Sequence, residues 1–237
     1  MNVHHTPRLY VEDDLSINHT IILNDDHTHY LKNVLRLKNE DIIRVFNGRS
    51  DEFKAILQFI GKKSAHLQID SVSKILSQPA LQTHLFFPLI KKDRMDWLIE
   101  KSVELGVTDL HPIITDHVKI RELNDIRLKK QIIEAAEQCE RLIIPTLHPL
   151  TPLKTALEAE RDDIEYIIAL ERAEGITPIK NIIFKTKNRG FIFGPEGGFS
   201  EHEKQWFKDQ SMRLVTLGDT ILRAETAGLV GLISITS

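Results

Sequence analysis

The 237-residue sequence contains a single cysteine, Cys139, which excludes an internal disulfide framework and a zinc site built from several cysteines. No apolar run approaches the roughly 20 residues that span a bilayer. The N-terminus has neither the basic start nor the apolar stretch of a signal peptide. We therefore expect a protein without a membrane segment that resides in the cytoplasm.

The sequence also lacks the common nucleotide-binding motifs. No G-x-G-x-x-G follows a predicted strand and no G-x-x-x-x-G-K-[ST] occurs, so dinucleotide-binding and P-loop interpretations lose support. The net charge of −3 argues against a protein that coats nucleic acid electrostatically, although a local basic face remains compatible with it. His111 and His117 flank a predicted strand without a carboxylate-rich helix nearby, and we expect no metal site.

The pattern of the chain changes at a predicted linker between Ser73 and Gln82. Before the linker, short strands punctuated by turns predict a small β-barrel over residues 1–73. After it, strands and helices alternate, which predicts an α/β domain over residues 74–237 with a mainly parallel sheet and ligands at the carboxyl ends of its strands. One long helix is predicted from about Asn124 to Leu142.

In two stretches of this second domain, an apolar strand-like run stops at a glycine and polar residues follow. The first, Phe191–Phe199, reads Phe-Ile-Phe-Gly-Pro-Glu-Gly-Gly-Phe, and the second, Leu217–Ala227, begins with Leu-Gly-Asp. Glycine lets the backbone approach a ligand closely, and proline stiffens a turn. Together with Leu170-Glu171-Arg172 at a third strand end, these loops can form a pocket of backbone donors and acceptors that suits a flat adenine and its ribose.

At these motifs the sequence resembles the 16S ribosomal RNA (uracil-1498-N3)-methyltransferase family of the SPOUT class. The resemblance begins with Gly194–Ser200 and Ile221–Ala227 and extends over essentially the whole chain. Its further motifs are Pro7–Tyr10, His29–Leu31 with Val34–Arg36, Phe46–Gly48, Lys101 with Glu104–Val107, and Glu137-Gln138 with Arg141. The chain departs from the family's pattern at Glu40, at Thr220 and at Asp116-His117, and the last two departures bear on RNA contacts.

The resemblance implies an N-terminal PUA-like β-barrel that helps to hold RNA and a C-terminal SPOUT domain closed by a deep trefoil knot. It also implies a homodimer with each site near the subunit interface, and S-adenosyl-L-methionine as the cofactor. The implied cofactor-binding residues are Leu170, Glu171, Phe193, Gly194, Pro195, Glu196, Gly197, Gly198, Leu217, Gly218, Ile221, Leu222 and Arg223. The modest net charge favours a folded particle, the small ribosomal subunit with its 16S rRNA, over naked RNA as the partner.

The hypothesis for the reaction is direct in-line transfer of the sulfonium methyl group to uracil N3. Arg223 follows the cofactor loop, and its guanidinium would stabilise the imide anion through a uracil carbonyl oxygen. Glu196 either caps amides of its own loop or orients the acceptor base. No metal is expected to take part.

Three arginines are the predicted RNA-binding residues: Arg8, Arg36 and Arg141. A structural role stays open for Arg8 as an ordinary strand arginine. It also stays open for Arg141, whose spacing from Glu137 fits an i,i+4 pair on the predicted long helix.

Two other functions stay open. One is methylation of a ribose 2′-hydroxyl in ribosomal or transfer RNA by the same kind of domain. The other, of a different class, is a non-catalytic RNA-binding or ribosome-assembly factor. The glycines of both loops argue against the second, because a loop that holds no ligand has less need of them.

Overall fold

The computed structural model describes residues 6–61, 64–119, 122–159, 164–171 and 176–236. The chain divides into two compact units: the first runs to Gln78 and includes Glu140–Ile143, and the second comprises Pro79–Cys139 and the chain from Ile144 onward. The return of four residues to the first unit is a feature that local sequence patterns do not indicate. The assignment of functions to residues 1–73 and 74–237 stays a prediction.

The first unit contains a five-stranded sheet in the order β1-β3-β4-β5-β2. Strands β1 and β3 pair in parallel, and the other neighbours pair antiparallel. Alternating apolar residues fill its core because successive side chains of a strand point to opposite faces. The strands are β1 (Arg8–Tyr10), β2 (Thr20–Leu23), β3 (Ile42–Phe46), β4 (Glu52–Ile60) and β5 (Ser64–Lys74). Helix α1 (Asp25–His29) continues into a π-helical turn (Tyr30–Val34).

The second unit contains an eight-stranded sheet in the order β11-β13-β10-β12-β6-β7-β8, with β9 also pairing with β7. Every pair in this sheet is parallel, which confirms the predicted α/β class. Its strands are β6 (Gln82–Pro88), β7 (Asp109–Ile114), β8 (Thr146–Leu147), β9 (Thr151–Pro152), β10 (Glu165–Ala169), β11 (Thr177–Pro178), β12 (Asn188–Ile192) and β13 (Arg213–Thr216). The helices are α2 (Lys92–Glu104), α3 (Asp125–Gln138), α4 (Leu153–Ala159), α5 (Glu201–Asp209) and α6 (Ala224–Thr236).

The long helix ends earlier than the sequence predicts. Helix α3 stops at Gln138, and Glu140 adopts a left-handed conformation with φ of 58°. A predicted helix to Leu142 is therefore wrong at its end, and Arg141 does not lie on the last helical turn. Glu137 and Arg141 are therefore not on one continuous helix, and the helical i,i+4 spacing that suggested their pairing does not apply.

Helix α6 is apolar around its circumference, as expected for a helix packed among other elements. Two of its glycines allow that close packing. A Cβ atom at Gly228 would lie 2.9 Å from ring atoms of Phe193, and one at Gly231 would lie 2.0 Å from a ring atom of Phe191. The last residues of β12 and the start of its loop therefore rest against α6. The trefoil knot stays a prediction.

Across the described residues, no helix combines the length and the hydropathy needed to cross a bilayer.

Candidate active site

Three loops leave the second sheet at the same edge. Strand β10 lies between β12 and β13 and is parallel to both, so the loops that follow these strands emerge side by side. The amide of Leu170 donates to the carbonyl of Val215 at 2.9 Å and extends the β10–β13 ladder into the first loop. Arg172, at the predicted end of that loop, lies outside the described residues.

The Gly-Pro-Glu-Gly-Gly loop folds tightly upon itself. The amide of Gly198 donates to the carbonyl of Pro195 at 2.8 Å, and Gly198 has φ of 66°. A Cβ atom at Gly194 would lie 3.2 Å from the carbonyl carbon of Gly198 and 3.3 Å from the ring of Phe199. The turn thus favours glycine at two positions, at Gly198 for its conformation and at Gly194 for its limited space.

Asp116 and His117 hold this loop from a neighbouring segment. The Nδ1 atom of His117 lies 3.0 Å from the carbonyl oxygen of Gly197 and 3.1 Å from that of Gly198. Both partners only accept, so Nδ1 carries the proton and donates. Asp116 accepts a hydrogen bond from the hydroxyl of Ser200. Asp116 and His117, two of the residues that depart from the family's pattern, therefore contact the loop, a role that the sequence does not reveal.

Ser200 also begins helix α5. Its hydroxyl accepts from the amide of Glu203 at 3.1 Å, and the carboxylate of Glu203 accepts from the amide of Ser200 at 2.8 Å, which completes a capping box. The other oxygen of this buried carboxylate accepts from the amide of Asp116 at 3.0 Å. The loop is thus fixed at its carboxyl end by side chains rather than by the sheet.

The surroundings of Gly198 and Gly218 show whether a ligand has room beside the loops. Gly218 has φ of 132°, and among the described residues a Cβ atom there or at Gly198 would meet no atom within 4 Å apart from its chain neighbours. Open space therefore adjoins backbone in two of the three loops. This space leaves room for a ligand to approach the backbone of both loops.

Helix α2 contributes an arginine that the sequence does not single out. Arg94 Nη1 donates to Glu196 Oε1 at 3.0 Å, and Arg94 Nε lies 3.7 Å from Glu225 Oε1. The Glu225 side chain is 10% exposed, and its Oε2 atom has no hydrogen-bond partner in the described part of the chain. Glu196 thus binds an arginine, and both of its predicted roles stay predictions. Glu225 is a buried carboxylate with one oxygen available.

Arg223 lies directly before helix α6. Its carbonyl accepts from the amide of Ala227 at 2.8 Å, while its side chain is exposed and makes no ion pair with any described residue. The guanidinium is therefore available to a ligand.

The predicted cofactor-binding residues differ in exposure. Leu170, Phe193 and Pro195 are buried. Gly194, Gly198, Leu217 and Leu222 are half-buried, and Glu171, Glu196, Gly197, Gly218, Ile221 and Arg223 are exposed. The binding roles of all these residues stay predictions.

The predicted RNA-binding arginines occupy different environments in the first unit. Arg8 is 8% exposed; its Nε donates to Glu52, its Nη2 donates to the carbonyl of Arg141 at 2.6 Å, and its guanidinium lies 3.8 Å from the centre of the Phe46 ring. Arg36 is exposed and has φ of 57°. Arg8 therefore has a structural role whatever else it does, and its contact with RNA stays a prediction.

Comparison with known proteins identifies the family. A family model described as an RNA methyltransferase domain matches residues 77–236, and one described as an RNA methyltransferase PUA domain matches residues 23–70. The chain belongs to this RNA methyltransferase family. The family predicted from the glycine-containing motifs is thus confirmed, as is the PUA-like assignment of the first domain.

Relatives named ribosomal RNA small subunit methyltransferase E match nearly the full chain. The protein from Rickettsia conorii is 33% identical over 228 residues, covering 95% of this chain and 93% of its own. A crystal structure of the Neisseria gonorrhoeae enzyme bound to S-adenosylmethionine matches with a TM-score of 0.87 and 30% identity, covering 96% of this chain and 95% of that one. A Legionella pneumophila methyltransferase, also in complex with S-adenosylmethionine, matches with a TM-score of 0.87 and 26% identity, covering 98% and 97%.

Proposed function

We propose that the chain methylates N3 of a specific uridine in 16S ribosomal RNA with S-adenosylmethionine as the methyl donor. The observation that carries the proposal is the meeting of three strand-end loops at one sheet edge, with open space beside Gly198 and Gly218. Support comes from relatives named small-subunit rRNA methyltransferases and from two similar structures that contain S-adenosylmethionine.

The backbone of the two glycine-containing loops would hold the cofactor. S-adenosylmethionine, when bound, supplies a methyl group on a positively charged sulfonium. The amides and carbonyls around Gly194–Gly198 and Leu217-Gly218 would bind its polar edges, because no side chain of the described residues, chain neighbours apart, comes within 4 Å of a Cβ atom placed at Gly198 or Gly218. His117 and Ser200 keep the first loop in place while it does so.

The acceptor edge of uracil presents a carbonyl, an N–H group and a second carbonyl. A complementary protein surface offers donor, acceptor and donor. Arg94 and Arg223 carry the donors, and Glu225 carries a carboxylate oxygen that lacks a partner among the described residues. A buried acceptor without a donor costs about 1–3 kcal/mol, and the uracil N3–H group would supply that donor.

These contacts assign the residues of the reaction. Glu225 would accept the N3 proton, and Arg223 would stabilise the charge that develops on a uracil carbonyl oxygen. Glu196 would hold Arg94 in position through the 3.0 Å ion pair. In this assignment Glu225 orients the base, a role that the sequence analysis left open for Glu196 beside amide capping.

Replacing each carboxylate separately tests the assignment. Loss of a general base lowers kcat by about 100- to 10,000-fold, so Glu225→Gln should do this, while Glu196→Gln should mainly raise KM for the RNA. Arg223→Ala should also lower kcat. Calorimetry with S-adenosylmethionine is the control, since both glutamine variants should bind it as the unchanged chain does. Full turnover by Glu225→Gln would exclude its role as the base.

Product analysis tests the function itself. The protein is incubated with labelled S-adenosylmethionine and small ribosomal subunits that lack the modification, and the RNA is digested to nucleosides. Label in 3-methyluridine supports the proposal, whereas label in a 2′-O-methyl nucleoside selects the ribose methyltransferase. Failure to bind S-adenosylmethionine in calorimetry would instead favour the non-catalytic RNA-binding factor.

The predicted assembly and location go with this proposal. A homodimer with each site near the subunit interface would place exposed apolar residues of α2 and of the segment before α6, such as Trp97 and Ile221, within reach of a partner. Sedimentation equilibrium tests it, and a monomer at micromolar concentration would refute it. A cytoplasmic location follows from a substrate that is part of the ribosome.

A further inference from the structure

Four side chains of types that bind metals lie on one face of the second sheet, toward the amino-terminal ends of its strands. His84 of β6 pairs in register with Asp109 of β7, and His111 lies two residues after Asp109 on the same face. His148 extends the β8 ladder through its amide, which donates to the carbonyl of Leu110 at 2.9 Å. His84 and Asp109 lie near the amino-terminal ends of their strands, away from the edge that carries the three loops.

The donor atoms of three of these residues are close together. His84 Nδ1 lies 3.0 Å from His111 Nε2 and 3.8 Å from Asp109 Oδ2. One ligand atom from each residue can be chosen so that all three lie within 4.8 Å of one another. Zinc bonded at its usual distances of about 2.0–2.2 Å separates neighbouring tetrahedral ligand atoms by roughly 3.3 Å. The two measured separations fall on either side of that value.

We propose that His84, Asp109 and His111 bind a zinc ion. Two imidazole nitrogens with one carboxylate oxygen form a ligand set that zinc accepts, with a fourth position left for water. The site lies at the sheet edge opposite the three loops, so the ion would stabilise the second unit rather than take part in methyl transfer.

The surroundings orient these ligands. The ring of His111 stacks between Phe86, with centroids 4.1 Å apart, and His148, with centroids 3.8 Å apart. His148 Nε2 lies 2.8 Å from Asp109 Oδ1, which leaves Oδ2 for a metal. A hydrogen bond to a ligating carboxylate is the usual outer partner of a metal site. The side chains of Asp109 and His148 are 20% and 29% exposed, so solvent reaches the site from their side.

The competing interpretation is a hydrogen-bond network alone, in which one of the facing nitrogens of His84 and His111 donates to the other. Zinc titration of the full chain decides between them. His4 and His5 are replaced by glutamine throughout, because adjacent histidines near the N-terminus can bind metal by themselves. The chain is stripped with a chelator, and Zn²⁺ alone is the probe in calorimetry.

We expect one zinc ion per chain. His84→Gln and His111→Gln should weaken binding by more than about 100-fold, and His148→Gln, which changes only the outer partner, by about 10- to 100-fold. His202→Gln is the matched control, since His202 is exposed and distant in sequence from the site. Equal affinity in His111→Gln and His202→Gln would overturn the proposal.

Cobalt provides a measurement that does not depend on whether a variant folds. Co²⁺ added to the unchanged stripped chain should give visible absorption bands of a four- or five-coordinate nitrogen and oxygen site, and Zn²⁺ should remove them. If cobalt gives no such bands and zinc gives no heat of binding in calorimetry, the zinc site is refuted and the cluster is a hydrogen-bond network alone.

Discussion

Substitution of Gly231 by alanine should destabilise the second unit although alanine favours helices. A Cβ atom at this position would lie 2.0, 2.1 and 2.2 Å from three ring atoms of Phe191, whereas carbon atoms in contact are about 3.5–4.0 Å apart. The fully buried ring would have to retreat by at least about 1.5 Å. Overpacking of this kind costs up to about 3 kcal/mol, and the gain in helix propensity offsets about 1 kcal/mol. The expected net loss is about 2 kcal/mol.

Tryptophan fluorescence can isolate this effect, because both tryptophans, Trp97 and Trp206, lie in the second unit. A loss of about 2 kcal/mol should lower the unfolding temperature of that unit by about 4–8 °C. Gly228→Ala is the matched control: its nearest contacts are at 2.9 Å, so its overpacking should roughly cancel its gain in propensity. Phe191→Leu should reduce the cost of Gly231→Ala in a double-mutant cycle. Stability of Gly231→Ala equal to that of the unchanged chain would refute the reasoning.

Three further substitutions test contacts elsewhere. Glu52→Gln leaves the buried Arg8 and Arg44 without their shared carboxylate and should lower the free energy of unfolding by about 3–5 kcal/mol. Amide hydrogen exchange in β1 and β3 measures this loss, and Glu12→Gln at an exposed position is the control. Ser200→Ala removes the cap of α5 and should cost about 1 kcal/mol, measured by tryptophan fluorescence. His117→Ala removes the donor to two loop carbonyls and should raise the Kd for S-adenosylmethionine up to about 10-fold in calorimetry, while exposed His202→Ala should not.

Each of these expectations has a contrary outcome. Exchange rates unchanged by Glu52→Gln would mean that the buried charges are solvated in solution. An unchanged melting curve for Ser200→Ala would mean that water replaces the cap, and an unchanged Kd for His117→Ala would mean that the loop holds its shape without the imidazole.

The predicted architecture follows from local patterns. Apolar residues at every second position indicate strands, and those at every third or fourth indicate helices, so alternation of the two predicts a parallel sheet. The end of α3 could not be predicted this way. Glu140 takes a left-handed conformation that costs free energy, and contacts distant in sequence offset it: its carboxylate accepts from Arg44 at 2.6 Å and its carbonyl accepts from Lys74 at 2.9 Å.

The candidate site also has features that the sequence predicts and features that it does not. Its glycines could be predicted because their function lies in the backbone of a single loop. Arg94 and Glu196 are 102 positions apart, and only the fold brings their side chains to 3.0 Å. His84 and Asp109 likewise come together only through the pairing of β6 with β7. The sequence alone therefore does not show that His111 has a histidine and a carboxylate beside it.

The salt dependence of RNA binding can distinguish a structural arginine from one that contacts phosphate. Each phosphate contact contributes about 0.7 to the slope of log K against log salt for single-stranded nucleic acid. Arg36 is exposed. If it contacts RNA as predicted, Arg36→Gln should make the slope shallower, lowering its magnitude by about 0.7. Arg8 already binds Glu52 and the carbonyl of Arg141, so Arg8→Gln should lower stability and leave the slope unchanged, measured well below the unfolding temperature. An equal reduction in both variants would mean that Arg8 leaves Glu52 to contact phosphate, and the buried pair would then be a feature of the free protein only.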